Sequence, residues 1–198
     1  MFPKRAKSCL AIAATALCTA VAAGNAQAFV YVIDVNNIPS VGFLNNPANA
    51  ILNVTVGPGA TVTGIGLEDV TLTAFVPSWL SEMYVRFTNT AQTAGVIVPA
   101  AVPDFDYMFS GTTTVSASYD LVSLGLSFAP GPNGLIRLQF YEVNSDDLPG
   151  TDGVWNSGRI VITTIPEPST DAALAVGLVG LFATTRRKFA APRAPNSA

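Results

Sequence analysis

Val70-Thr71-Leu72-Thr73-Ala74-Phe75 alternates apolar with polar or small side chains at a period of two, and Ile51-Leu52-Asn53-Val54-Thr55-Val56 repeats the pattern. A strand sends successive side chains to opposite faces, so this alternation predicts half-buried strands rather than helices. Further strands are expected over Phe29 to Val35, Met83 to Phe87, Tyr107 to Phe109, Thr113 to Tyr119, Leu124 to Phe128, Leu135 to Val143 and Arg159 to Thr164. Turn signals stand between them: Asn45-Asn46-Pro47, Gly57-Pro58-Gly59, Val76-Pro77-Ser78, Pro130-Gly131-Pro132-Asn133-Gly134 and the stretch from Asp147 to Gly153. About eight or nine short strands without an amphipathic helix between them predict an all-β domain, an antiparallel β-sandwich of the jelly-roll kind.

The inward phase of those strands names the expected core: Leu52, Val54, Val56, Val70, Leu72, Val85, Phe87, Leu126, Phe128, Ile136, Leu138, Phe140, Ile160 and Ile162. Phe75 is read with Phe87, Phe128 and Phe140 as a core aromatic. Trp79 and Trp155 stand in turn-rich surroundings and are read as loop anchors, with a ligand platform as the alternative.

Outside the strand region, both ends carry targeting features. Lys4, Arg5 and Lys7 precede an apolar, Ala-rich stretch from Cys9 to Ala23, and Ala26-Gln27-Ala28 places small residues Ala26 and Ala28 at the cleavage positions of a secretory signal peptide. Residues 1–28 are therefore expected to be removed by signal peptidase, with an uncleaved N-terminal anchor as the alternative. Both cysteines, Cys9 and Cys18, fall inside this segment, and the chain has no histidine. The exported domain would then lack disulfides, thiolate nucleophiles and His- or Cys-ligated metals, and Ser-His-Asp catalysis is excluded.

Between Phe29 and Ile165 only Arg86, Arg137 and Arg159 are basic, three against eleven acidic residues, a net charge of −8. Such a domain lacks the clustered Lys and Arg that nucleic-acid binding requires, so divalent cations or neutral glycans are the expected partners. The loop from Asn144 to Gly153 gathers Asp146, Asp147 and Asp152 among glycines, oxygen ligands that suit calcium, although the spacing is not that of an EF-hand and a solvated acidic turn is the alternative. Asp104 and Asp106 are possible further ligands, or outward carboxylates on a strand edge. Glu68, Glu82 and Glu142 are the carboxylates from which a glycosidase pair would have to come, but they are read as exposed edge charges; no nucleophile elbow or phosphate loop accompanies them, and the chain reads as non-enzymatic.

At the C-terminal end, Pro166-Glu167-Pro168-Ser169-Thr170 precedes an apolar run from Ala172 to Ala183 and then Arg186-Arg187-Lys188. Pro166 and Pro168 bar a helix from extending upstream, while Ser169 or Thr170 can cap one that starts there. A helix from Ser169 to Thr185 would span about 25 Å, marginal for a bilayer core of roughly 30 Å, with Arg186, Arg187 and Lys188 as the cytoplasmic stop. A buried helix of the domain is the alternative.

This C-terminal arrangement resembles a PEP-CTERM sorting signal. The resemblance covers about 25 residues in motif, order and position, and the tail from Phe189 to Ala198 is longer than is usual there. It implies recognition by an exosortase, a membrane-embedded processing enzyme of Gram-negative bacteria, and association with exopolysaccharide and biofilm. The expected organisation is a signal peptide at 1–28, an exported β-sandwich at 29–165, a sorting signal at 166–188 and a short tail at 189–198. The chain would cross the inner membrane, be held briefly by the C-terminal helix and pass to the cell envelope, surface or medium.

A looser similarity touches the middle of the chain. Glu68-Asp69-Val70-Thr71-Leu72-Thr73, Trp79-Leu80-Ser81-Glu82-Met83 and the run from Asp152 to Ile160 are similar to the strand rhythm of proprotein-convertase P domains, accessory jelly rolls without catalysis. Together these features lead to the expectation of a structural or adhesive surface protein in contact with extracellular polysaccharide, with a calcium-dependent lectin-like module as the alternative.

Overall fold

The computed structural model describes residues 27–101, 107–144 and 150–167, which fall in one unit, Gln27–Glu167. Several expectations lie outside the described residues: the signal helix with Ala26, the motif residues Pro168, Ser169 and Thr170, the apolar helix with Arg186, Arg187 and Lys188, and the acidic residues Asp104, Asp106, Asp146 and Asp147.

Among the described residues the chain forms nine strands: β1 Phe29–Asp34, β2 Ile38–Ser40, β3 Ile51–Thr55, β4 Ala60–Ala74, β5 Met83–Asn89, β6 Gly95–Pro99, β7 Gly111–Asp120, β8 Leu135–Glu142 and β9 Gly153–Pro166. All pair antiparallel, in two sheets. One has the order β1-β9-β4-β7 with β2 also on β9; the other has the order β3-β8-β5-β6. The apolar sides of both sheets meet in a single core, Leu67, Leu72, Ile160 and Ile162 from the first and Val85, Phe87, Ile136, Leu138 and Phe140 from the second. The domain is thus an all-β antiparallel sandwich, stabilised without any disulfide by the burial of these side chains.

The decisive strand is longer than its alternating segment. β4 begins at Ala60, and its buried residues are Ala60, Val62, Ile65, Leu67, Val70, Leu72 and Ala74. The inward phase slips by one residue after Val62 and again after Leu67, where the pairing registers shift. Each slip is a bulge that absorbs an extra residue and returns the apolar set to the core. At the second bulge Asp69 has φ 49°, and Gly158 of β9, with φ +110°, lies so close that an added Cβ would stand 2.5 Å from Val70 Cα. A strict two-residue period therefore finds Val70 to Ala74 and misses Ala60 to Leu67.

Other differences have local causes. Leu124 to Phe128 is not a strand: the Asp120 carboxylate accepts the backbone N–H of Val122 and Ser123 and turns the chain, leaving only Phe128 to bridge to Val62. Leu121 takes the core position and Leu126 is exposed. Tyr107 to Phe109 forms no strand, and the Phe109 carbonyl instead accepts the Leu80 N–H. β2 is only three residues long with Pro39 inside it, and β6 lies on the sheet edge between Gly95 and Pro99, residues that read as turn signals. Leu52 and Val54 are half-buried on β3, which has a partner on one side only.

The aromatics also redistribute. Phe75 is exposed just past the end of β4, whereas Phe87, Phe128 and Phe140 are buried as expected. Trp155 is no loop anchor: β9 starts six residues before Arg159, which puts Trp155 inside the sandwich and fully buried. Its ring meets Phe140 of the opposite sheet edge to face, with centroids 5.0 Å apart.

Candidate functional site

The alternation of β8 sends Ile136, Leu138 and Phe140 inward, and the same phase carries Glu142 inward at the strand's end. There the carboxyl meets Ser40, the last residue of β2, whose hydroxyl donates to Glu142 Oε1 at 3.0 Å. Asp152, just before β9, is held at the same corner by its N–H to the Ser40 carbonyl at 3.1 Å and its carbonyl to the Phe75 N–H at 2.9 Å. Ser78 and Glu82 complete the group, and all five residues are buried.

Crowding and charge define the corner. Gly153 leaves space for the carboxyl, since a Cβ there would lie 2.6 Å from Glu142 Oε1 and 2.8 Å from Met83 Cε. Burial pushes the Glu142 carboxyl up to about 8, the charges of Asp152 and Glu82 add to the rise, and the hydroxyls of Ser40 and Ser78 offset part of it. At neutral pH the protonated form is therefore favoured. Glu142 Oε2 is buried without a hydrogen-bond partner among the described residues.

Glu82 is differently placed. It ends the 3-10 turn Leu80–Glu82, where its Oε2 accepts the Trp79 N–H at 2.9 Å and its Oε1 accepts Asn144 Nδ2 at 2.6 Å. Both oxygens are used in holding the turn and the start of the loop after β8. The other oxygen-bearing side chains at this corner, of the kind a hard cation takes, are those of Glu142, Asp152, Ser40 and Ser78. No group of three or more acidic side chains is arranged for a metal ion among the described residues.

Of the residues that the sequence points to, the fold brings Asp152, Glu82 and Glu142 to this corner. Glu68 stays apart, on the first sheet's exterior, paired with Arg159 at 3.1 Å. Glu142 is fully enclosed, so it has none of the access that a glycosidase carboxyl requires. Trp79 is partly exposed beside the 3-10 turn. Pro166 is paired with Ala60 at the end of β9, and Glu167 is exposed with its N–H on the Gly59 carbonyl at 2.6 Å. Ser40 and Ser78 carried no sequence signal, because both lie in turn-rich stretches. Glu68 is the exposed edge charge that the sequence suggests, but Glu82 and Glu142 are not: the inward phase of β8 carries Glu142 into the sandwich, and Glu82 is buried where it caps the 3-10 turn.

No family model matches this chain, and no curated protein does. Among solved structures the chain is similar to dimeric latent PorU from Porphyromonas gingivalis, with 9% sequence identity and a TM-score of 0.34. The match covers 71% of this chain and spans 13% of that one.

Proposed function

We propose that this chain is an exported, non-enzymatic surface or matrix protein, delivered through a PEP-CTERM signal and processed by an exosortase, whose sandwich makes adhesive contact with extracellular polysaccharide. The observation that carries the reading is the junction of β9 with the motif. β9 runs through Pro166 and Glu167 follows at the surface, so the Pro-Glu-Pro sequence starts where the last strand of the domain stops. A domain whose final strand ends in the label needs no linker to present it.

The strand order supports the finer description as a jelly roll: β1-β9-β4-β7 faces β3-β8-β5-β6, and the chain changes sheet at most connections. The first 28 residues serve as the export signal, and the segment after Glu167 as a transient membrane anchor in a Gram-negative host. Deleting residues 168–198, which leaves β9 whole, is expected to move the protein from the envelope fraction to the periplasm or medium. Unchanged fractionation after that deletion sinks the sorting reading.

A second reading, a calcium-dependent lectin-like module, is favoured by one observation: the enclosed Glu142 Oε2, which has no hydrogen-bond partner among the described residues, close to Asp152. A hard cation would hold both carboxylates ionised. Millimolar calcium should then raise the melting temperature of the wild type but not of Glu142→Gln, and an identical melt with calcium or chelator counts against it.

A further inference from the structure

Two of the three arginines in this acidic domain share one face. On the second sheet Val85, Phe87, Leu138 and Phe140 point into the core, so Tyr84, Arg86 and Thr88 of β5 and Arg137, Gln139 and Tyr141 of β8 point away from it. The registers set them side by side: Tyr84 opposite Tyr141, Arg86 opposite Gln139, Thr88 opposite Arg137. Asn53 of β3 lies opposite Arg137, and Ile97 of β6 opposite Arg86. None of the residues that these four strands turn to this side is acidic.

Arg86 and Arg137 are thus diagonal neighbours, and burial together with the charge of Arg86 lowers the Arg137 guanidinium from its ordinary range. Neither has a carboxylate partner among the described residues; the ion pair there is Arg159 with Glu68, on the other sheet. Each instead reaches one amide oxygen, Arg86 Nη1 to Gln92 Oε1 at 3.3 Å and Arg137 Nη1 to Gln139 Oε1 at 2.9 Å. A guanidinium offers five N–H donors, so most of the donor capacity of the pair is unspent. Gln139 Nε2 and Thr88 Oγ1, at the neighbouring registers, are buried and lack a hydrogen-bond partner. A concavity of about 430 Å³ opens at this place, lined by Arg86, Thr88, Gln92, Ile97 and Leu126 among others. Two residues further along the strands, on the same face, the rings of Tyr84 and Tyr141 lie 5.9 Å apart.

Two like charges placed together without a counter-charge lower stability unless an anion joins them. The planar fork of arginine matches a carboxylate in two-point contact, and amide and hydroxyl groups beside aromatic rings match the hydroxyls and C–H faces of sugars. We propose that this outward face binds a polysaccharide bearing carboxylate groups, a polyuronate, with its acid groups held between the half-buried Arg86 and Arg137 and its neutral sugars along the exposed Gln92 and Ile97 and the half-buried Tyr84. The inference rests on the reading of the sandwich as a glycan-contacting module and names the class of glycan. It also departs from the neutral glycan that net charge alone suggests. At physiological ionic strength the Debye length is about 8 Å, so the remote acids are screened while the two adjacent arginines are not.

Affinity electrophoresis of the purified full chain in mild detergent tests this, with polygalacturonate, dextran sulfate or neutral dextran cast in the gel. Polygalacturonate is expected to retard the wild type and neutral dextran not to. Arg86→Gln/Arg137→Gln should weaken retardation at least about tenfold, in keeping with the loss of charge-assisted contacts. Arg86→Lys/Arg137→Lys, which keeps the charge and loses the fork, should fall between, and Arg159→Gln on the opposite sheet should match the wild type. Melting curves of each variant identify any that fail to fold, and competition by free galacturonate against the wild type gives a readout that needs no variant. Retardation by dextran sulfate alone, no competition by galacturonate, or equal retardation of the double glutamine variant overturns the proposal. Fractionation reports separately on sorting, so either idea can fail while the other stands.

Discussion

The hydroxyl of Ser40 donates to Glu142 Oε1 at 3.0 Å across 102 residues of chain, and so ties the end of β2 in one sheet to the end of β8 in the other. The bond is made to a carboxyl that the sandwich encloses, with Asp152 arriving from the turn before β9. The titration of the corner and its packing therefore depend on one another.

Stability should fall as pH rises. The folded-state pKa of Glu142 is raised to about 8 from an ordinary 4.5, so its favourable contribution is fully present below pH 4.5 and is lost as pH climbs through 8. The slope contributed by this group is at most about 1.4 kcal/mol per pH unit. Denaturant unfolding in chelator at several pH values should show the decline in wild type and a flatter profile in Glu142→Gln. Equal slopes in the two proteins would assign the pH response to another group.

The Phe140 and Trp155 rings should couple. Each is fully buried and their centroids stand 5.0 Å apart at 78° between sheets. Truncating either ring to Ala is expected to cost about 3 to 5 kcal/mol. Milder replacements, Phe140→Leu and Trp155→Phe, keep the fold measurable, and their double-mutant cycle should return about 0.5 to 1.5 kcal/mol of coupling. An additive cycle would show that the rings merely fill space.

Gly153→Ala should destabilise through crowding, since the new methyl group would meet the Glu142 carboxyl and the Met83 thioether. Overpacking of this kind costs about 1 to 3 kcal/mol. Gly153→Ala/Glu142→Ala removes the obstructing carboxyl, and the added methyl should then cost less than it does in wild type, as read by chemical denaturation. The same loss in both backgrounds would place the crowding elsewhere.

Truncation separates the domain from its label. β9 lies between β1 and β4, so removing residues 160–198 strips the partner of Val62, Ile65 and Leu67 and should abolish cooperative unfolding. Removing 168–198 keeps all nine strands of the described residues and should leave the circular dichroism melt of the domain unchanged. A lost transition in the shorter deletion would mean that the segment after Glu167 contributes to the fold.

Much of this architecture is written in adjacent residues. The alternation in Val70 to Ala74, Ile51 to Thr55 and Leu135 to Glu142 sets which side chains share a face, and side-chain direction along a strand needs no distant partner. The same phase turns Glu142 inward, against the expectation that a strand-end carboxylate stays exposed, because the sandwich closes over the end of β8. The absence of His, and of Cys beyond Cys18, bounds the chemistry in the same direct way. The bulges at Val62 and Leu67 break the period, however, and strands as short as β2 carry too few residues to show one.

The all-β class, the inward side of most strands and the residue types on hand for chemistry are readable along the chain, because they depend on neighbours and composition. The fold adds that Ser40 meets Glu142, that Trp155 closes on Phe140, and that Arg86 and Arg137 become neighbours without a carboxylate partner among the described residues. Those relations are set by the register of β5 on β8 and by the stacking of two sheets, and register joins segments whose separation in the chain carries no information about their distance in space.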